Sequence, residues 1–156
     1  MVREYNLIIN DNNILELKPS KLFEDELIID LKDAIYFMRY NYDMDVLESE
    51  KVYLIGFDGN EIMIGLYCVS IGDYNTSNLY NRTIAASALL MSAKKIAVVH
   101  NHPGNNISAS IEDMQASAKL NKLFEMLELE FLGCYIISRY KWKKVGTDDV
   151  NEWEDE

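Results

Sequence analysis

Two histidines, one serine and one aspartate within a single short stretch are the residue types in this sequence best suited to chemistry. His100 and His102 are separated by one residue, and they are the only histidines among the 156 residues. Seven residues follow His102 before Ser110, and Asp113 stands three positions further on. Two imidazoles and a carboxylate form a ligand set of catalytic zinc sites, which leave a fourth position open. The spacing therefore predicts a metal site made of His100, His102 and Asp113.

The residues around the histidines predict how both imidazoles reach one point. Residues 95–99 are short, apolar and β-branched at their end, which is typical of a buried strand. Alternate residues of a strand share a face, so we expect His100 and His102 to point to the same place. Residues 103–106, Pro-Gly-Asn-Asn, predict a turn that reverses the chain.

The start of the following helix is predicted to bring in the carboxylate. Ser110 is typical of a helix N-cap, and the pattern after it predicts a helix to about Glu128 with Asp113 in its first turn. A serine followed three residues later by an aspartate can also be only a capping box, alone or alongside metal binding. A His-x-His pair can likewise be a polar loop edge. The occurrence of both patterns at this spacing favours the metal site.

The stretch resembles the signature of the JAMM (MPN+/JAB) metalloproteases, which reads His-x-His, seven residues, Ser, two residues, Asp. Arg82, the Ala-rich residues 85–90 and Val-Val-His-Asn-His-Pro at 98–103 resemble its RadC-like branch, over roughly residues 45–138. The resemblance implies a JAB1/MPN-like (cytidine-deaminase-like) layered α/β fold, with a mixed β-sheet flanked by helices. It also implies one Zn²⁺ per chain and a zinc metallopeptidase or isopeptidase that attacks a protein or peptide substrate through a metal-activated water.

The same resemblance implies a catalytic glutamate ahead of an earlier strand. Glu50 stands in the matching register, and Glu48 is the alternative if the register shifts by two residues. By this resemblance Glu50 accepts a proton from water and later donates it to the leaving amine. Ser110 donates a hydrogen bond to the developing oxyanion.

The rest of the chain is predicted to contain a small number of further elements. Residues 5–9 and 14–18 flank an Asn-rich turn and predict a hairpin, which Pro19-Ser20 should end. The amphipathic pattern predicts a helix over residues 24–41, followed by a solvated acidic linker over 43–48. Further strands are expected over 52–57, 62–70, 96–100 and 131–138, further helices over 82–94 and 110–128, and a polar loop, a possible groove wall or a plain connector, over 73–78.

The predicted organisation has three parts. They are residues 1–45, a hairpin and a helix packed on the domain; residues 46–145, the RadC-like JAB/MPN+ domain; and residues 146–156, an acidic tail that we expect to fray. The order of strands and helices in the central part independently favours a layered α/β fold.

Composition bounds the class of protein and its partners. No apolar run approaches 18 residues, so we expect a globular protein with no membrane partner. The first residues lack the apolar core of a signal peptide, and Cys68 and Cys134 match no metal-binding spacing. We therefore expect free thiols and a cytoplasmic location. The net charge of -11 argues against nucleic acid as a partner.

One stretch competes with that view of nucleic acid. Arg139, Lys141, Trp142 and Lys143 interleave positive charge with an aromatic ring, as proteins that bind single-stranded nucleic acid do. The alternative is an edge strand that lysines protect against aggregation. Besides the metallopeptidase, two functions thus stay open: a non-catalytic interaction module on the same fold, and a DNA-repair-associated RadC-like protein. The oligomeric state stays open as well.

Overall fold

The computed structural model describes residues 1–71 and 79–154, so the polar loop predicted at 73–78 lies outside the described residues. Across these two ranges eight strands form one sheet, in the order β2-β1-β4-β3-β5-β6-β7-β8. The elements are β1 (Val2–Ile9), β2 (Leu15–Phe23), α1 (Leu31–Tyr42), β3 (Lys51–Phe57), β4 (Met63–Ile71), α2 (Asn81–Leu90), β5 (Lys95–Asn101), α3 (Ile111–Met126), β6 (Glu130–Ile137), β7 (Lys141–Lys144) and β8 (Val150–Glu152). Parallel and antiparallel pairs coexist, which confirms the predicted mixed sheet.

The centre of the sheet positions the histidine stretch. β5 lies between β3, to which it is antiparallel, and β6, to which it is parallel. Parallel neighbours need a crossover connection, and α3 supplies it between β5 and β6. β3 and β5 are buried over nearly their whole length, as their apolar runs predict. Consequently the end of β5 and the start of α3 lie close together, at the end of the central strands.

Helices cover both faces of the sheet. Ile35, Phe37 and Met38 of α1 pack on one face, and we call this the α1 face. Ile84 of α2 and Leu120 of α3 pack on the other, which we call the α3 face. This layering confirms the α/β fold class. Among the described parts of the chain, no helix is both long and apolar enough to cross a bilayer.

Five predicted elements match the observed bounds to within two residues, namely β3, β4, β5, α3 and β6. The two hairpin strands and two helices do not: β1 begins at Val2 rather than at residue 5, and β2 ends at Phe23 rather than at residue 18. α1 begins at Leu31 rather than at residue 24, because Asp30 caps it: the Asp30 carboxylate accepts a hydrogen bond from the Asp33 N–H at 2.8 Å. Just before it, the Ile28 carbonyl accepts from the Met63 N–H at 2.9 Å, so this stretch bonds to β4 instead. α2 ends at Leu90, four residues before the predicted end.

The prediction that Pro19-Ser20 ends the hairpin is wrong. β2 runs through both residues to Phe23 and pairs with β1 along its length. The register shifts there, since Tyr5 pairs with Pro19 and Glu4 pairs with Lys21. β2 is an edge strand, where a proline without an N–H is tolerated.

The acidic linker is not fully solvated either. Met44 is buried in the α1-face cluster. Asp45 forms an ion pair with Arg39 at 2.9 Å, and only 14% of each side chain is exposed. Thus the prediction for residues 43–48 is wrong at these two positions.

The prediction of a frayed tail is wrong for the stretch from Val150 to Trp153. β8 pairs with β7, and Trp153 packs against the α1-face cluster. The Trp153 Nε1–H donates to the Ser138 carbonyl at 3.0 Å. Since β8 covers β7, β7 is not an edge strand. The division of the chain at residues 45/46 and 145/146 stays a prediction.

Candidate metal centre

The end of β5 brings the two imidazoles together. His100 is fully buried on the α3 face, and the His102 side chain is 13% exposed just beyond the strand. The His102 N–H donates to the Ile137 carbonyl at 2.9 Å, so the pairing with β6 continues past the last residue of β5. Extended backbone therefore persists across both residues, and their Nε2 atoms lie 3.2 Å apart.

The first turn of α3 delivers the carboxylate. Ser110 is the N-cap: its hydroxyl accepts from the Asp113 N–H at 3.0 Å, while Asp113 Oδ2 accepts from the Ser110 N–H at 2.7 Å. Ser110 and Asp113 therefore form a capping box. The same carboxylate lies 3.2 Å from His100 Nε2 through Oδ1 and 3.2 Å from His102 Nε2 through Oδ2. The helix cap thus aims Asp113 at the imidazoles.

The spacing of these atoms fits a tetrahedral metal ion. Bonds of about 2.0–2.1 Å place neighbouring ligands about 3.3–3.4 Å apart in such a site. Here the two Nε2 atoms lie 3.2 Å apart, and each lies 3.2 Å from a different oxygen of the Asp113 carboxylate, which is close to that value. Within residues 1–71 and 79–154, His100, His102 and Asp113 are the one group of three side chains able to hold a metal ion. The donors, two nitrogens and an oxygen, suit zinc and also other first-row divalent metals.

A backbone contact fixes the tautomer of His102. Its Nδ1 lies 3.0 Å from the Asn106 carbonyl oxygen, which can only accept a hydrogen bond. The Nδ1 atom therefore carries the hydrogen, and the lone pair of Nε2 faces the carboxylate. Metal-binding histidines commonly have such a partner on the second nitrogen.

Burial and charge act in opposite directions on the three side chains. Burial lowers the pKa of His100, and the Asp113 carboxylate opposes this only in part. Burial also lowers the pKa of His102, but Asp113, the Asn106 carbonyl and Glu50 outweigh it and hold that pKa above its usual value. For Asp113 burial favours the protonated form, yet the two imidazoles beside it and the hydrogen bond from the Ser110 N–H hold its pKa well below its usual range. The carboxylate therefore stays charged, which suits a divalent cation.

Glu50 is not one of the three potential metal ligands, but it acts on the two imidazoles. It directly precedes β3, whose Val52 pairs with His100. The half-buried Glu50 carboxylate acts electrostatically on both imidazoles and favours their protonated forms, although burial still keeps the pKa of His100 lowered. Glu48 is exposed. Glu50 thus lies within electrostatic range of both imidazoles, in agreement with the resemblance, while its catalytic role stays a prediction.

A comparison with known protein families identifies the family of this chain. The profile of the RadC-like JAB domain matches residues 29–145, about three quarters of the sequence. The chain belongs to the RadC-like JAB domain family. This confirms the resemblance drawn from the histidine stretch.

Relatives of this RadC-like JAB domain carry the name UPF0758 protein. One from Chlorobium chlorochromatii is 30% identical over 94 residues, which is 60% of this chain and 42% of the relative. One from Clostridium botulinum (strain Alaska E43) is 30% identical over 102 residues, or 65% and 44%. One from Thermotoga maritima is 28% identical over 109 residues, or 70% and 49%. The chain therefore spans about half the length of the relatives that it matches.

The basic and aromatic stretch of this RadC-like JAB domain does not form one surface. Trp142 is half-buried on the α1 face, its ring centroid 6.4 Å from those of Tyr135 and Trp153. Strand alternation sends Lys141 and Lys143 to the opposite face of β7. Arg139 is exposed in the turn before the strand. Since Trp142 packs against the α1-face cluster and the two lysines lie on the opposite face, the contacts do not favour the nucleic-acid interpretation.

Two residues that support the site were not predicted from the sequence. Asn106 supplies the carbonyl that orients His102, and Asn101 bonds to the backbone on both sides of Glu50. Asn101 carried a local signal, because a carboxamide within a buried strand needs hydrogen-bond partners. Asn106 carried none, since any residue supplies a carbonyl.

Proposed function

We propose that this RadC-like JAB domain is a zinc-dependent hydrolase that cleaves a peptide or isopeptide bond in a protein or peptide substrate. The observation that supports the proposal is the convergence of three donor groups: His100 Nε2 and His102 Nε2 lie 3.2 Å apart, and each lies 3.2 Å from one of the two Asp113 carboxylate oxygens. Three protein ligands with an open fourth position are typical of catalytic zinc rather than structural zinc. One ion per chain fills this site.

The three ligands hold the ion, and the neighbouring side chains perform the proton transfers. Zinc in such a site supplies a Lewis acid and lowers the pKa of a bound water to about 7. Glu50, close to the imidazoles but outside the ligand group, accepts the proton of the attacking water and returns it to the leaving amine. A carboxylate suits this role because it needs no further activation to accept a proton.

Ser110 stabilises the charge that develops on the substrate. Its hydroxyl oxygen accepts from the Asp113 N–H, which leaves the hydroxyl hydrogen available as a donor. Ser110 is exposed, so this hydrogen is accessible to a substrate carbonyl oxygen. The N-terminus of α3 adds partial positive charge on the same side. Together they favour negative charge on that oxygen in the transition state.

The metal content of the purified protein is the first test. We expect about one zinc per chain in the wild type and a loss of zinc in both His100→Ala and Asp113→Ala. Gln115→Ala, an exposed change on α3, serves as the matched control and should keep its zinc. Protein that binds little zinc even after zinc is supplied would contradict the proposal and favour the non-catalytic interaction module.

Hydrolysis is the second test, and it separates the two candidate glutamates. On libraries of peptides and isopeptide-linked peptides, Glu50→Gln should lower the rate on the order of 10²–10⁴-fold while zinc content is kept. Glu48→Gln should have no effect. Equal losses in both variants, or no loss in Glu50→Gln, would contradict the role given to Glu50.

A further inference from the structure

Asn101 stands between the two histidines but contacts another part of the chain. It is the last residue of β5 and is fully buried. Its Oδ1 accepts a hydrogen bond from the Lys51 N–H at 2.7 Å, and its Nδ2 donates to the Ser49 carbonyl at 3.0 Å. These two backbone groups lie immediately before and after Glu50. One carboxamide therefore holds the chain on both sides of that residue.

The contact begins where the backbone pairing of β3 with β5 ends. That pairing runs from Phe57 and Lys95 to Val52 and His100. The preceding residues 43–50 form neither helix nor strand. A carboxamide has the donor and acceptor of a peptide group. Asn101 thus adds one more pair of hydrogen bonds to a segment that β5 does not hold through its backbone.

We propose that Asn101 is a positioning residue, which holds the backbone of residues 49–51 so that the Glu50 carboxylate stays beside His100 and His102. The inference rests on the proposed function, because it concerns the proton-accepting role of Glu50. Strand alternation makes the arrangement possible: His100 faces α3 while Asn101, one residue later, points to the other side of β5. A single strand then positions both the two imidazole ligands and the backbone on either side of Glu50.

A merely structural role for Asn101 makes a different prediction. If the carboxamide only satisfies buried backbone groups, its loss should reduce activity whether or not Glu50 is present. If it positions Glu50, its loss should matter only when Glu50 can accept a proton. A double-mutant cycle distinguishes the two cases.

The cycle compares Asn101→Ala, Glu50→Gln and the double variant with the wild type. We expect Asn101→Ala to lower kcat on the order of 10²-fold, as misplaced catalytic groups do, with KM and zinc content unchanged. In the Glu50→Gln background the same change should lower kcat no further. An equal additional loss in that background, or an unchanged kcat in Asn101→Ala alone, would overturn the proposal.

A second variant covers the case in which Asn101→Ala does not fold. Lys51→Pro removes the N–H that donates to Asn101, and a proline is tolerated at the first residue of a strand. It should lower kcat in the same way. Lys51→Ala keeps the N–H and is the matched control, with wild-type kcat. Equal kcat in Lys51→Pro and Lys51→Ala would overturn the proposal.

Amide hydrogen exchange supplies a readout that does not depend on activity. In the zinc-loaded protein the Lys51 amide should exchange faster in Asn101→Ala than in wild type, while the Ile55 amide in the middle of β3 stays protected. Unchanged exchange at Lys51 would overturn the proposal. If wild type binds zinc but hydrolyses nothing, the proposed function fails and this inference fails with it. If wild type hydrolyses peptides and Asn101→Ala keeps its kcat, only this inference fails.

Discussion

The two faces of the sheet are filled in different ways. The α1 face is rich in aromatic rings, with Phe23 and Phe37 in edge contact at 4.9 Å and Tyr36 and Trp153 at 5.1 Å. The α3 face is mainly aliphatic around Leu120. The buried ligands His100 and Asp113 lie at its end. The α1 face is therefore filled mainly by aromatic packing, whereas the α3 face ends in the polar ligands of the metal site.

β5 contributes to both faces and shows how they are kept apart. Ala97 and Val99 pack on the α1 face, while Ile96 and Val98 pack on the α3 face. His100 continues the α3-face row, so the ligand appears where the apolar row ends. We therefore expect the stability of the fold and the affinity for metal to depend on different residues. The predictions below test that separation, from the largest effect to the smallest.

Phe37→Ala should produce the largest loss of stability. Phe37 is buried on the α1 face and packs against Phe23, so its truncation should lower the free energy of unfolding by about 3–5 kcal/mol. Urea unfolding measures this loss. The folded fraction should still bind one zinc with wild-type affinity. A large fall in affinity would show that the two faces are not separable.

Zinc should stabilise the fold by an amount that depends on the α3 face alone. At free zinc of 100 times Kd the wild type should gain about 2.7 kcal/mol in unfolding free energy. Phe37→Ala should gain the same increment, and Asp113→Ala should gain none. Thermal unfolding with zinc and with a chelator measures both. An increment in Asp113→Ala equal to that of wild type would mean that zinc binds elsewhere.

The site could be predicted from sequence to the extent that its signals are local. His100, His102, Ser110 and Asp113 lie within 14 residues, and a strand, a turn and a helix cap each carry their own pattern. Strand alternation and helix capping then determine where these side chains point. Hence short-range rules suffice to bring the three ligands to one place.

The parts that could not be predicted depend on contacts between distant residues. Asn101 bonds to Lys51 and Ser49, which are 50 and 52 positions away in sequence. α1 starts late because Ile28 bonds to Met63 of β4, although the residues before it also fit a helical pattern. In each case the tertiary partner determines the local conformation, and no periodicity within the segment reports that partner.

Trp153 connects the α1 face, through residues 138 and 139, to the loop that follows His102. Its ring lies 4.5 Å from the Arg39 guanidinium, and its Nε1–H donates to the Ser138 carbonyl. Next to Ser138, the Arg139 N–H donates to the Gly104 carbonyl in the loop after His102. Trp153→Ala should lower the unfolding free energy by about 1–3 kcal/mol, since part of the ring is exposed.

The zinc affinity of Trp153→Ala tests whether the α1 face influences the metal site through this connection. We expect no change in affinity, because His102 bonds directly to the Ile137 carbonyl and the Arg139 N–H still holds the loop. Competition with a zinc-binding dye measures it. A fall in affinity would show that the ordered end of the chain supports the metal site.

Ser110→Ala should give the smallest effect, and one confined to the α3 face. Loss of the N-cap should lower the unfolding free energy by about 1 kcal/mol, whereas Ser110→Gly should cost only about a few tenths. Ile35→Val on the α1 face, at about 0.5–1.5 kcal/mol, is a control of similar size. Zinc affinity should fall in Ser110→Ala, because the hydroxyl helps to hold Asp113, and should stay unchanged in Ile35→Val. Equal affinities in these two variants would mean that the cap stabilises the helix without orienting the ligand.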